Sequence, residues 1–299
     1  MRKALVVCYG YLGDHLFASS IAKKLLEEKQ FDMVDYVVGF PQVIPLLKLN
    51  PFIHEVFYEG IPTPSPRVLF NNGYDKIIQL GPLSFVEPPC VEFQKLAGIR
   101  NPTPDFQVYT DSTVDEMVKD HFKTITDVPI VAVMSNWEPK TFRFTKEQYE
   151  AGIDVPNKGY GGSWRNIKYI VEQLEKHFVL VWVGAPANVT QFETVVETPQ
   201  TRTLLGEASI LKHCDFFVGA EGGMANLAFG VGCKTILTSD FVHQLYGWNG
   251  VIRKIPEPRL GPRFYFPTGH IDLDPYLTDE EVATQMIRSE EHTSELQSH

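Results

Sequence analysis

The chain has 299 residues, is 43% hydrophobic and 21% charged, and carries a formal net charge of -10, with 27 Lys and Arg against 37 Asp and Glu. That length favours two domains of ordinary size, and the composition is that of a globular protein. The acidic balance leaves no broad basic face for a nucleic-acid partner, so any phosphate site must be local.

Ala4 to Cys8 is a continuous apolar run, read as a buried strand. A glycine-bearing turn, Tyr9 to Gly13, leads into a helix from Asp14 with Leu16, Ile21 and Leu25 on one face. Val34 to Val38 is the next strand, Pro41 to Leu49 a short helix stopped by Asn50-Pro51, Asp75 to Leu80 a strand, and Val91 to Ala97 a helix ended by Gly98. This alternation is the signature of parallel βαβ units. Val114 to Phe122 reads as a linking helix. The pattern then restarts: strand Ile130 to Met134, helix Trp164 to His177, strand Phe178 to Val183 closed by Gly184, helix Ala208 to His213. Strand Phe216 to Gly219, helix Met224 to Val231 after a Gly-Gly pair, strand Lys234 to Leu237 and helix Thr278 to Ile287 complete it. Thr278 and Glu281 have capping-box spacing. The expected domains are 1–126 and 127–287.

The last stretch, 288–299, reads RSEEHTSELQSH. It resembles the translation of a sequencing-library adapter, shows no period, and is expected to lie outside the fold. The four cysteines, Cys8, Cys90, Cys214 and Cys233, form no Cys-x-x-Cys pair. Reduced core thiols are expected, not a zinc or redox site. The N-terminus runs straight into a strand, and no run approaches the ~18 apolar residues of a membrane span. The expectation is a cytoplasmic protein with at most peripheral membrane contact.

Three stretches resemble the GT-B glycosyltransferases, and most of all the bacterial heptosyltransferases of glycosyltransferase family 9. They are Gly13-Asp14-His15-Leu16, Tyr74-Asp75-Lys76-Ile77-Ile78, and Cys214 to Ala228 with Gly219-Ala220-Glu221-Gly222-Gly223-Met224-Ala225-Asn226 at its centre. Glu221 stands where that family has Asp, Gly222 where it has Ser or Thr, Asn226 where it has His, and Gly162 where a lysine precedes the tryptophan matched by Trp164. The spacing Gly223 to Phe229 is also similar to a second GT-B group, so the resemblance leaves the donor sugar and base open. It implies an α/β fold of two Rossmann-like domains whose parallel sheets face a cleft. It further implies an inverting transfer without metal or cofactor, from a nucleotide-sugar donor to a glycan, glycolipid or lipopolysaccharide-like acceptor. No Asp-x-Asp motif and no cluster with metal-ligand spacing occurs in the sequence.

Sugar transfer needs a base for the acceptor hydroxyl and a cradle for the departing diphosphate. Asp14 follows Gly13 at the carboxyl edge of the first strand, where open α/β sheets bind ligands. It is either the base or the cap of the first helix. Gly13 and His15 flank it on the acceptor side. Gly222-Gly223 either cradles a diphosphate on bare N–H groups at a helix start or is a tight turn. Glu221 is a candidate for a ribose or sugar hydroxyl, or a solvated acid. Met224, Asn226 and Gly184 complete the candidate donor edge. Lys140 and Arg143, in the loop after Ser135, would offset diphosphate charge or be solvated. Two other activities remain: an epimerase of GT-B-like fold, and a non-catalytic nucleotide-sugar binder. An NAD enzyme is disfavoured because Gly10-Tyr11-Leu12-Gly13 lacks the G-x-G-x-x-G pattern.

Overall fold

The computed structural model describes residues 1–59, 73–81, 83, 87–125, 128–134, 167–184, 203–220, 222–238, 270–273 and 277–297. The first half holds β1 (Lys3–Cys8), α1 (Leu12–Glu27), β2 (Met33–Val38), α2 (Ile44–Lys48), β3 (Val56–Tyr58), β4 (Lys76–Gln79), α3 (Pro89–Ala97) and α4 (Ser112–Ile125). The second holds β5 (Ile130–Met134), α5 (Ile167–Leu174), β6 (Val179–Val183), α6 (Leu204–His213), β7 (Phe216–Ala220), α7 (Gly223–Gly230), β8 (Lys234–Thr238), β9 (His270–Leu273) and α8 (Asp279–Gln297).

Each half is built on a parallel sheet, ordered β3-β2-β1-β4 in the first and β6-β5-β7-β8-β9 in the second. β1 lies in register with β2 from Lys3 opposite Met33 to Cys8 opposite Val38. Ala4, Leu5, Val6 and Val7 are all fully buried. A strand covered on both faces has no polar face to show, and so its sequence is a continuous apolar run. The strand order reverses between β1 and β4, and again between β5 and β7. Ligands bind open α/β sheets outside the carboxyl ends of the strands at such reversals.

Two motif aspartates have structural duties. The Asp75 carboxylate accepts from the Lys3 N–H at 2.6 Å, and Asp215 accepts from the Ile130 N–H at 2.7 Å. In each half an acid just before a strand ties down the start of the neighbouring strand. One core cluster spans both halves along α1, the stretch before α4, and α7. Phe106 is its keystone, meeting Phe17 edge-on at 5.2 Å and Phe229 at 5.4 Å between ring centroids. The Val108 N–H donates to the Gly230 carbonyl at 2.7 Å. Farther along, Asp115 of α4 accepts from Lys212 of α6 at 2.6 Å.

Two strands were not expected from the sequence, β3 and β9. Both are edge strands, of three and four residues, too short for an apolar run to show. Helix α1 starts at Leu12, two residues before the sequence-based start. All four cysteines are buried and free. The Thr278–Glu281 capping box is present: Thr278 N–H donates to the Glu281 carboxylate at 2.7 Å, and Glu281 N–H to Thr278 Oγ1 at 3.2 Å.

Helix α8 continues to Gln297, through the segment read as patternless. Extending an existing helix needs no new nucleus, and Glu, Ser, Leu and Gln tolerate it. The buried face lies earlier, at Val282, Ala283 and Met286. Removing residues 288–299 is therefore expected to leave stability within about 0.5 kcal/mol of the full chain. Chemical denaturation of the two forms checks this. No described helix is long and apolar enough to cross a membrane.

Candidate active site

The site grows out of the turn after β1. Tyr11 is the N-cap of α1, and Asp14 is the third residue of the helix. From there the Asp14 carboxylate reaches back to accept the Tyr11 N–H at 2.9 Å. This bond satisfies one of the orphan donors at a helix start. Asp14 thus caps the helix, as the acid of the first turn and not as the N-cap residue. Burial raises its carboxyl above the usual aspartate range, outweighing the hydrogen bonds that lower it. A half-buried acid with a raised proton affinity has the properties of a general base.

The turn is built for this carboxylate. A Cβ at residue 10 would overlap the Asp14 side chain. Gly10→Ala is expected to swing the carboxylate out of place while leaving its chemistry intact. Activity should fall by about 100-fold or more, the range seen when a general base is lost, at a stability cost of roughly 1–3 kcal/mol for overpacking. Wild-type turnover in Gly10→Ala would show that the position of Asp14 is unimportant.

His15 does not reach the acceptor side. It is fully buried, its ring centroid 6.2 Å from that of Tyr36. Burial pushes its pKa down to about 4, so the ring is neutral. Successive residues of a helix point about 100° apart; with Asp14 toward the cleft, His15 turns into the core. Burial likewise pushes the neighbouring Cys8 thiol up to about 12, so it is no nucleophile.

The second half meets this turn through α7. Gly222 is the N-cap of α7, at φ 155°, a backbone that side chains disfavour. Gly223 has no positive φ; its constraint is contact. A Cβ there would stand 3.1 to 3.3 Å from three Leu12 side-chain atoms. One residue on, a Cβ at Gly13 would stand 2.5 Å from Asn226 Nδ2. The starts of α1 and α7 therefore touch, and Asp14 lies within one helical turn of the contact. The first N–H groups of α7 have no intrahelical partner, and the helix dipole makes that end attractive to anions.

Three of the donor-edge candidates have structural contacts of their own. Met224 is buried in the shared core, leaving only its backbone for a ligand. Asn226 is buried at the contact with Gly13, so it bridges the halves instead of lining the donor side alone. Gly184, at φ 104°, already donates its N–H to Glu207 at 2.9 Å. Glu221, Lys140 and Arg143 lie outside the described residues, as do Trp164 and Gly162.

Sequence reading missed two residues. Tyr11 is 69% exposed at the mouth of the site, an aromatic rim whose signal was its place inside a glycine turn. Glu207, in the first turn of α6, has its carboxyl pushed up to about 7 by burial, against the lowering effect of Gly184. An acid with a raised folded pKa contributes stability below its ordinary range and loses it as pH rises through 7. Glu207→Gln keeps an acceptor for Gly184. It is expected to match wild type near pH 4 and to exceed it by roughly 1–3 kcal/mol above about pH 8. Urea denaturation at the two pH values checks the sign.

No protein-family model matches the sequence, and no curated protein does. Solved structures do match. A glycosyl transferase family 9 protein from Veillonella parvula is similar over 97% of this chain and 97% of its own, with TM-score 0.66 and 12% identity. The E. coli ADP-heptose LPS heptosyltransferase II is similar over 97% of this chain and 100% of its own, with TM-score 0.60 and 12% identity. E. coli heptosyltransferase WaaC with ADP is similar over 96% and 99%, with TM-score 0.56 and 13% identity.

The chain has the GT-B fold. The expectation of two Rossmann-like halves with parallel sheets is borne out.

Proposed function

We propose that the protein is an inverting glycosyltransferase that uses a nucleotide-sugar donor and a glycan or glycolipid acceptor, working in the cytoplasm without metal or cofactor. One observation carries the reading: a half-buried carboxylate, Asp14, stands beside a glycine-led helix start, α7, at facing reversal points of two parallel sheets. The likeness to heptosyltransferases, one of them holding ADP, supports a nucleotide-sugar as donor.

In this reading the Asp14 carboxylate takes the proton of an acceptor hydroxyl. The freed oxygen pair attacks the anomeric carbon from the face opposite the diphosphate. The bond from that carbon to the diphosphate oxygen breaks, and its electron pair leaves with the nucleotide. The transition state is oxocarbenium-like. The leaving charge is met by the N–H groups and dipole at the start of α7. Gly222 and Gly223 let the phosphates approach that backbone, and Glu221, Lys140 and Arg143 are proposed to complete the donor site. Tyr11 offers a ring face to a sugar.

A screen of ADP-, UDP-, GDP- and CMP-sugars by thermal shift tests the donor half. A ligand at 100 times its Kd stabilises by about 2.7 kcal/mol, which moves the melting point by several degrees. A flat response to all four classes contradicts the donor site.

A further inference from the structure

The turn that carries Asp14 is gripped from its core side as well. Asp14 and His15 are consecutive residues in the first turn of α1, so their side chains leave the helix about 100° apart. The Asp14 carboxylate accepts the Tyr11 N–H at 2.9 Å. His15 enters the core, fully buried, and its ring meets the Gly10 backbone in a contact that favours the protonated ring. A group that favours an imidazolium accepts a hydrogen bond from it, so the partner is the Gly10 carbonyl.

The Gly10 carbonyl and the Tyr11 N–H belong to one peptide unit. A trans peptide is planar, with its C=O and N–H pointing in opposite directions. His15 and Asp14 therefore hold the two ends of the same plane, one from the core and one from the cleft. Little else fixes that plane. Residue 10 is a glycine, whose backbone turns with few steric limits, and a Cβ there would overlap the Asp14 side chain. Tyr11 is largely exposed. The buried Cys8 thiol also meets the Gly10 backbone, in a contact that favours the thiolate and so comes from the Gly10 N–H. That bond steadies the preceding peptide and leaves the Gly10–Tyr11 plane to His15.

The residue type points the same way. α1 buries Leu12, Leu16, Ile21 and Leu25 around His15, and a further leucine would suit that company. A neutral imidazole brings one donor and one acceptor into the core, and burying a polar group costs free energy unless it is bonded. The Gly10 carbonyl is what the ring bonds.

We propose that His15 is a positioning residue for Asp14: by fixing the Gly10 carbonyl it aims the Tyr11 N–H at the carboxylate and holds that carboxylate in place. The consequence for turnover rests on Asp14 as the base of the proposed transfer. The positioning itself is measured without turnover.

Amide hydrogen exchange of Tyr11, read by NMR on the full chain, tests it in His15→Leu, His15→Asn and His15→Gln. Urea denaturation gives the folded fraction of each. Leucine fills the space of the ring without a donor, whereas the two amides keep a donor and fill the space less well. In His15→Leu the Tyr11 amide should exchange about tenfold or more faster per folded molecule. Its kcat should fall by about 10- to 100-fold, with donor affinity unchanged. At least one amide variant should recover most of both. Asparagine places its N–H near Nδ1 and glutamine near Nε2, so the variant that recovers identifies the donating nitrogen. A histidine that only fills space predicts the reverse order, with leucine best. Wild-type exchange in His15→Leu, or amide variants no better than His15→Leu, would overturn the proposal. The wild type offers a check that needs no variant. Its His15 ring-nitrogen chemical shifts should show a single neutral tautomer near pH 7, and an even mixture of the two would also overturn the proposal. Should the wild type transfer no sugar, the exchange and the tautomer still decide the positioning, and only the transfer reading falls.

Discussion

Asp14→Asn is expected to lower sugar transfer by ~100- to 10,000-fold while donor affinity stays near wild type. The geometry isolates the charge. An asparagine oxygen can still accept the Tyr11 N–H that Asp14 accepts at 2.9 Å, so the start of α1 keeps its cap. What disappears is the group that takes the proton. Burial raises the Asp14 carboxyl, so the base is protonated, and activity lost, at a higher pH than for a solvated aspartate. The acidic limb of kcat/KM should therefore sit above the ordinary aspartate range, and Asp14→Asn should lack it. Stability has its own sign. A raised acid contributes stability at low pH and loses it as pH rises through its folded pKa. The variant should match wild type in acid and be equal or slightly more stable at neutral pH. Full turnover in Asp14→Asn would remove Asp14 as the base.

Gly223→Val carries the second large effect, and two consequences are expected together. Even a Cβ at 223 would come within 3.1 Å of Leu12, so a branched side chain forces α1 and α7 apart at roughly 1–3 kcal/mol. It also crowds the N–H groups proposed to hold the diphosphate, and the donor-induced thermal shift should vanish. Leu12→Ala in the same chain separates the causes. It should return part of the lost stability by making room. If the phosphate reading holds, donor binding stays lost in the folded double variant. If donor binding returns with stability, Gly223 is a packing glycine only.

The contrast at Gly223 shows where sequence reading stops. The glycine pair between a strand and a helix was readable, because strand runs and turn glycines are local signals. That Gly222 takes the positive φ while Gly223 makes room for Leu12 was not, because the contact joins residues more than 200 positions apart. The same holds for Met224 and His15. Their neighbours in sequence suggest a cleft, while their direction is decided by how a helix rotates over its sheet. Glu207 was invisible for a related reason: an acid in a first helical turn is usually solvated, and only tertiary burial beside Gly184 raises it. In contrast, β1, β2, β5 and β7 were readable almost to the residue, since strands buried on both faces write themselves as apolar runs. The edge strands β3 and β9 carry no such mark.

The most direct measurement is product analysis by mass spectrometry and NMR. The protein is incubated with the nucleotide-sugar that gives the largest thermal shift and a mixture of glycan and glycolipid acceptors. The proposed function predicts nucleoside diphosphate and glycosylated acceptor in equal amounts, with the anomeric configuration inverted, and neither in Asp14→Asn. An epimerised donor with no acceptor gain, or a bound donor recovered unchanged with every acceptor, would contradict it.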